Sequence, residues 1–428
     1  MSVRGILAAA AVVIASLVSA GVTQPAFAAG GAPGSIDTSF GHNGTVITDL
    51  RLTAAGQAKL GTPRAVIVLG NGDILVGGDT GVVRLLPTGS LDTTFGSGGF
   101  APVGFPGEPT GIPNLTVQPD GKILWLGSTP NTSGGGNLTD FALERFTANG
   151  TPDQTFGRKG LVTKDIPTGG EGFEAFNAAV IQPDSKIVAA GFVGTTGRTG
   201  HSNVVLVRYN PGGTADTSFG TGGTVMGGPG GAVALGLDAA GDIFTLPGEE
   251  EFGPAGVRDA SVTATPITTS TPSSLGNGVS GAFAFLLTGQ TLAGGLVGNP
   301  ADVHDTDAQV QRLNADGTVD PAFASPPIDY NGIEGGIGDS GVDSLAVQRD
   351  GKILIGGSVG LARVNPDGTL DTTFGNGGAE LAVPATLPVV LANAALLAVL
   401  PTGEFLAIGA GTNPTTGSIE LILTRYFQ

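Results

Sequence analysis

The chain has 428 residues, of which 75 are Gly, 28 Pro and none Cys; 40% are hydrophobic, 13% are charged, and the formal net charge is −17. Glycine ordinarily makes up about 7% of a chain and costs roughly 1 kcal/mol against alanine inside a helix, so this excess excludes a mainly helical protein, while the hydrophobic content excludes disorder. The acidic balance argues against nucleic acid and anionic membranes as partners, and without cysteine there is no disulfide framework.

Taken from the N-terminus, Met1 to Ala28 reads as a secretory signal peptide: Arg4 is the positive n-region, Ile6 to Val22 the apolar stretch, and Ala26-Phe27-Ala28 the small-x-small cleavage site. Cleavage there leaves 18 basic against 36 acidic residues. No later apolar run reaches the roughly 18 residues of a membrane helix. The sequence therefore predicts a secreted chain, extracellular or periplasmic, with no membrane insertion.

One pattern recurs along the rest of the chain. An apolar strand enters a Pro-Asp-Gly-Lys type turn, a second strand ends in Gly-Gly, and a third strand carries a central Arg. Another Pro-Asp-Gly type turn then leads to Asp-Thr-Thr-Phe-Gly and a fourth strand; residues 343–383 show the pattern most plainly. Proline presets φ, aspartate bonds back to the backbone, and glycine takes the left-handed conformation that closes the hairpin. The first hairpins turn at Asn71-Gly72-Asp73, Pro119-Asp120-Gly121-Lys122, Pro183-Asp184-Ser185-Lys186, Ala240-Gly241-Asp242, Thr288-Gly289-Gln290, Asp350-Gly351-Lys352 and Pro401-Thr402-Gly403-Glu404. The motif phenylalanines fall at Phe40, Phe95, Phe156, Phe219, Phe323 and Phe374, and the gap of 104 residues between Phe219 and Phe323 is two periods. The unit inside that gap keeps its first hairpin, Leu237 to Phe244, and loses the rest of the consensus.

Seven such units predict an all-β chain: a seven-bladed β-propeller of four-stranded antiparallel blades in one domain, residues 29–428. The blades are expected near 64–103, 114–165, 177–226, 230–280, 281–325, 343–383 and 393–428 plus 33–48. An arginine stands eight residues before the motif aspartate in Arg84/Asp92, Arg145/Asp153, Arg208/Asp216, Arg312/Asp320 and Arg363/Asp371, which leaves Arg425 and Asp37 unmatched at the two ends. Joining the ends completes that unit. An N-terminal strand near Thr45 to Thr48 would then finish the last blade and remove two open sheet edges.

The hairpin Val117-Gln118-Pro119-Asp120-Gly121-Lys122, the strand Val207-Arg208-Tyr209-Asn210 and the motif Asp216-Thr217-Ser218-Phe219-Gly220 resemble the delta-60 repeat, a family of secreted or surface bacterial β-propellers. The resemblance implies the same fold and compartment. It supplies no catalytic residues.

Residues that recur in every blade build the blade. Each Arg is expected to bond its own Asp or a neighbouring carbonyl, each Phe to wedge between blades, and the Asp-Thr-Ser-Phe-Gly stretch to be a turn, since one carboxylate is too few for a calcium loop. Function should then lie with the irregular loops between second and third strands, which share one face with the blade-to-blade connections. That face is acidic: it carries Asp165, Glu171 and Glu174 after the second unit and Asp329, Glu334, Asp339 and Asp343 after the fifth. The alternating carboxylates Asp302, Asp305 and Asp307 are the candidate metal ligands, with calcium the cation their hard oxygens suit. The string Gly356-Gly357-Ser358-Val359-Gly360 imitates a nucleophile elbow, yet it lies at a second-strand end with no helix following. Three histidines are too few for a triad or a His-rich metal site. The leading expectation is a monomeric binding or scaffold protein recognising a surface protein or a glycan through the loop face, with no catalytic residues assigned. The alternative is a carboxylate-based hydrolase or lyase at the channel mouth, with calcium as its ion.

Overall fold

A computed structural model of the chain describes residues 31–49, 60–105, 114–130, 139–166, 172–195, 202–232, 234–238, 241–246, 250–258, 282–286, 288–298, 306–314, 318–330, 341–357, 360–381, 390–391, 396–415, 417 and 419–428. The proposed signal peptide lies outside them. All regular structure in these residues is strand.

The strands form seven antiparallel sheets in a ring, a seven-bladed β-propeller. Blade 1 is Pro63–Val68, Ile74–Gly78, Gly81–Leu85 and Phe100–Pro102. Blade 2 is Asn114–Val117, Ile123–Pro130, Thr139–Phe146 and Leu161–Lys164. Blade 3 is Gly172–Ile181, Ile187–Thr195, Ser202–Tyr209 and Thr224–Pro229. Blade 4 shows Ala234–Leu237, Ile243–Leu246 and Glu250–Phe252. Blade 5 shows Phe283–Phe285, Thr291–Gly298 and Thr306–Leu313, with Ile328 bridged to Ala308 where a fourth strand belongs. Blade 6 is Ser344–Val347, Ile353–Gly356, Gly360–Val364 and Ala379–Leu381.

Blade 7 is the shared one. Its innermost position is filled by Val390–Leu391 and Leu396–Val399, both on Phe405–Thr412, followed by Ile419–Tyr426 and then by N-terminal Thr45–Asp49. Thr45 pairs with Thr424 and Asp49 with Glu420. Outside the strand, the Asp37 amide donates to Arg425 O at 2.8 Å and the Phe427 amide to Ser35 O at 2.9 Å. The predicted end-to-end closure is thus present.

The ring follows from where apolar surface is buried. Each of the seven buried clusters is shared by two neighbouring blades. Trp125 and Leu115 meet Leu75 between blades 1 and 2, Phe141 meets Phe176 between 2 and 3, and Leu421 meets Val83 between 7 and 1. A blade has two apolar faces and covers neither alone, so each interface stabilises both neighbours. Second strands are accordingly buried on both sides, as Ile74–Gly78 shows, whereas outer strands such as Leu161–Lys164 remain partly exposed.

The repeated polar residues hold the blades in place. In all six pairs the arginine Nε donates to the aspartate Oδ2, at 2.7 to 2.9 Å, and Arg425 to Asp37 spans the two ends of the chain. The guanidinium also reaches the next blade: Arg84 Nη1 donates to Ala148 O at 2.8 Å and Arg312 Nη1 to Pro366 O at 2.7 Å. Each guanidinium lies over its motif phenylalanine, 4.3 to 4.9 Å from the ring centre, a geometry that adds cation–π attraction. The phenylalanine in turn seats against the next blade's turn glycine. At Gly213, where φ is +88°, a Cβ would stand 2.9 Å from Phe156 Cε2 and from the Gly157 amide nitrogen. These contacts match the sequence reading of the Arg, Asp and Phe as structural.

Blade 4 keeps more than its sequence suggests. Its third strand and the turn Gly253 to Val257 survive, and the Gly220 amide donates to Ala255 O at 3.2 Å, as other blades link at this point. The consensus disappears because Glu251 stands where other units carry arginine; beside it Glu250 bonds Arg258 at 2.7 Å and the Gly228 amide of blade 3 at 2.8 Å.

Candidate functional site

The motif aspartates are engaged by their own turns and arginines. Oδ1 of Asp92, Asp153, Asp216 and Asp371 accepts the amide and the hydroxyl of the residue two positions on, and Oδ2 takes the arginine. Lys186 and Lys352, from the hairpin turns, add to Asp216 and Asp371 at 3.1 and 2.8 Å. All six carboxyls are held below the usual aspartate range. Burial opposes this at Asp37, Asp153 and Asp371 but is outweighed by the hydroxyl, amide and arginine donors. At Asp92 and Asp216 the Thr94 and Ser218 hydroxyls lead, and at Asp320 the Ala322 amide. The stretch is a turn that organises its own acid.

Attention therefore moves to the loop face, where second strands end, third strands begin and one blade hands over to the next. Of the predicted metal ligands, Asp302 and Asp305 lie outside the described residues. Asp307 is buried near the start of blade 5's third strand, opposite Val297. Among the described residues it joins no group of three candidate metal ligands.

The one such group lies at the handover from blade 2 to blade 3. Asp140 comes from the start of blade 2's third strand, Asp165 follows its fourth strand, and Glu174 sits on the first strand of blade 3. One carboxylate oxygen from each lies within 4.8 Å of the others. Glu174 is 3% exposed, Asp140 is intermediate and Asp165 faces solvent, so the group runs from the interior outward. The glutamate is fixed in place. Its amide donates to Thr139 Oγ1 and its carbonyl accepts from the same hydroxyl, both at 3.0 Å, and Oε1 accepts the Ile166 amide at 2.9 Å. Its other oxygen, Oε2, makes no hydrogen bond. Burial, reinforced by the Asp165 and Asp140 charges and opposed by the Ile166 amide, pushes the carboxyl up to about 8.

A second buried acid is separate from this group. Glu144, on blade 2's third strand, accepts the Gly104 amide of blade 1 at 2.6 Å, and burial pushes its carboxyl up to about 7. Glu250 repeats the contact between blades 3 and 4. Both brace an interface.

The sequence places Asp165 and Glu174 on the acidic face without singling them out, and Asp140 is not among the acids it names there. Registering each acid on the repeat would have put all three at one handover. The register shift between Phe176 and Ala178, beside Glu174, has no sequence signal.

A family model described as a domain of unknown function (DUF5122) beta-propeller matches residues 69–95, 118–156, 182–219, 304–323 and 348–374, each stretch ending on the motif phenylalanine. No curated protein matches the chain. Similar solved structures include a gluconolactonase from Xanthomonas campestris (12% identity, 94% of this chain and 99% of that one covered, TM-score 0.37). Others are a soluble aldose sugar dehydrogenase from Escherichia coli (13%, 89% and 99%, 0.36) and an endo-arabinase from Bacteroides thetaiotaomicron (11%, 80% and 98%, 0.32). Likeness of this size carries no argument about activity. The interlocked blades and the matching repeats together make this chain a β-propeller repeat protein.

Proposed function

We propose that the chain is a secreted, monomeric propeller of the delta-60 repeat type that binds a surface protein or a glycan through its loop face. The observation that carries this reading is the use of the recurring Arg and Asp side chains to hold the ring together, with Arg145, Asp153 and Gln118 joined in one buried network. The ring is a scaffold, and outside blade 4 the units differ most at the face where blades hand over. Repeat arrays present binding loops in this way.

The absence of cysteine allows a clean test. A single cysteine replaces exposed Asp329 on the loop face or exposed Thr402 in a turn on the opposite face, and each variant is coupled to a bulky maleimide polymer. The native chain is first screened on glycan arrays and on envelope fractions. Blocking at position 329 is expected to abolish whatever binding is found, and blocking at 402 to leave it intact. Equal retention at both positions, or binding to none of the glycans and envelope proteins, would refute the reading.

A further inference from the structure

We infer that Asp140, Asp165 and Glu174 form a site for a hard divalent cation of the calcium type, which ties blade 2 to blade 3 at the loop face. The inference does not depend on the binding function proposed above. Calcium–oxygen distances are about 2.3 to 2.6 Å, so oxygens on one ion stand no more than roughly 5 Å apart, and the three carboxylates already meet that limit at 4.8 Å.

Acidic neighbours alone would not suffice, since exposed carboxylates often gather without an ion. The deciding feature is Glu174, a side chain 97% shielded from solvent whose Oε2 has no hydrogen-bond partner while a carboxylate oxygen lies among the Asp140 and Asp165 oxygens. A buried carboxyl oxygen without a partner is costly. The structure nonetheless fixes this residue: its backbone is held by the Thr139 hydroxyl and by strand pairing to Val193, and its carboxyl by the Ile166 amide on Oε1. An ion contacting all three groups would compensate their repulsion and satisfy Oε2.

The donor set selects the ion. Three carboxylates supply three to six oxygens, and water reaching exposed Asp165 would complete the six to eight that calcium takes. With no thiolate and no imidazole in the group, softer metals such as copper or zinc are disfavoured. Magnesium demands a stricter octahedron, whereas calcium accepts the irregular donor set that one buried, one half-buried and one exposed carboxylate offer.

The test uses the full chain, stripped with EDTA and desalted, then titrated with calcium chloride by calorimetry and followed by thermal unfolding. One equivalent should bind, and Tm should rise with calcium concentration. Glu174→Gln should lose both responses. Should that variant fail to fold, Asp165→Asn, at an exposed position, should weaken binding at least tenfold. The triple variant Asp302→Asn, Asp305→Asn, Asp307→Asn should bind as the native chain does. No heat and no Tm change up to millimolar calcium, or unchanged binding in both Glu174→Gln and Asp165→Asn, would overturn the site. Loss of binding only in the triple variant would place the ion at blade 5 and overturn it equally.

Discussion

Replacing Glu144 by glutamine should change how stability depends on pH, with a sign fixed by the structure. Glu144 is 2% exposed, accepts the Gly104 amide at 2.6 Å, and has its carboxyl pushed from 4.5 to about 7, chiefly by burial. In the unfolded chain it ionises near 4.3. Between the two values the folded chain holds one more proton than the unfolded chain, so stability falls as pH rises through this window and levels off above about 7. At 1.36 kcal/mol per pH unit the fall amounts to at most about 4 kcal/mol, which local relaxation would soften toward about 3 kcal/mol. Glutamine can still accept the Gly104 amide but cannot ionise. Urea midpoints for both chains from about pH 4.5 to 8.5 supply the test. The difference, variant minus native, should grow through the window by up to about 4 kcal/mol. Any cost of seating the amide group is a constant offset, and contributions common to both chains cancel in the comparison. A pH-independent difference would refute the reasoning.

Three further outcomes follow from the ring. Asp153→Asn removes a buried carboxylate shared by Arg145 and Thr155; it should cost about 3 to 5 kcal/mol at neutral pH. Because this carboxyl is depressed, its contribution is present above about pH 4 and lost on further acidification. The gap between the native and variant urea midpoints should therefore narrow as the pH falls below about 4, and a constant gap would contradict the assignment. Ser185 occupies a left-handed turn position, φ +65°, where Gly121 and Gly351 stand in the equivalent hairpins. Ser185→Gly should stabilise by about 0.5 to 1 kcal/mol in urea unfolding, after the entropy glycine adds to the unfolded chain is set against the relieved strain. Deleting residues 35–50 removes Asp37, Phe40 and the Thr45–Asp49 strand, leaving Ile419–Tyr426 as an open edge. Aggregation or misfolding is expected in size-exclusion chromatography, and a monomer of unchanged Tm would disprove the need for closure.

The alternatives for the carboxylates show where sequence reasoning stops. Asp302, Asp305 and Asp307 attract notice because they are close in the chain, but an ion is held by atoms that converge in space. Asp140, Asp165 and Glu174 lie up to 34 residues apart in the chain, yet their oxygens meet within 4.8 Å. Similarly, Glu144 gives no hint in sequence of its bond to Gly104, which exists only because blade 1's outer strand lies against blade 2.

Blade number, strand order and the joining of the ends can be read from the residues alone. Each rests on short-range chemistry that repeats: a turn closed by a left-handed glycine, an arginine eight residues before its aspartate, a phenylalanine set at the blade boundary. Only the tertiary structure decided which acids meet and which are buried. Those properties arise where two blades press together, and a bulge between Phe176 and Ala178 beside Glu174 shifts the pairing there by a residue. Repetition makes such a fold legible, and the site becomes visible only where the repetition is broken across an interface.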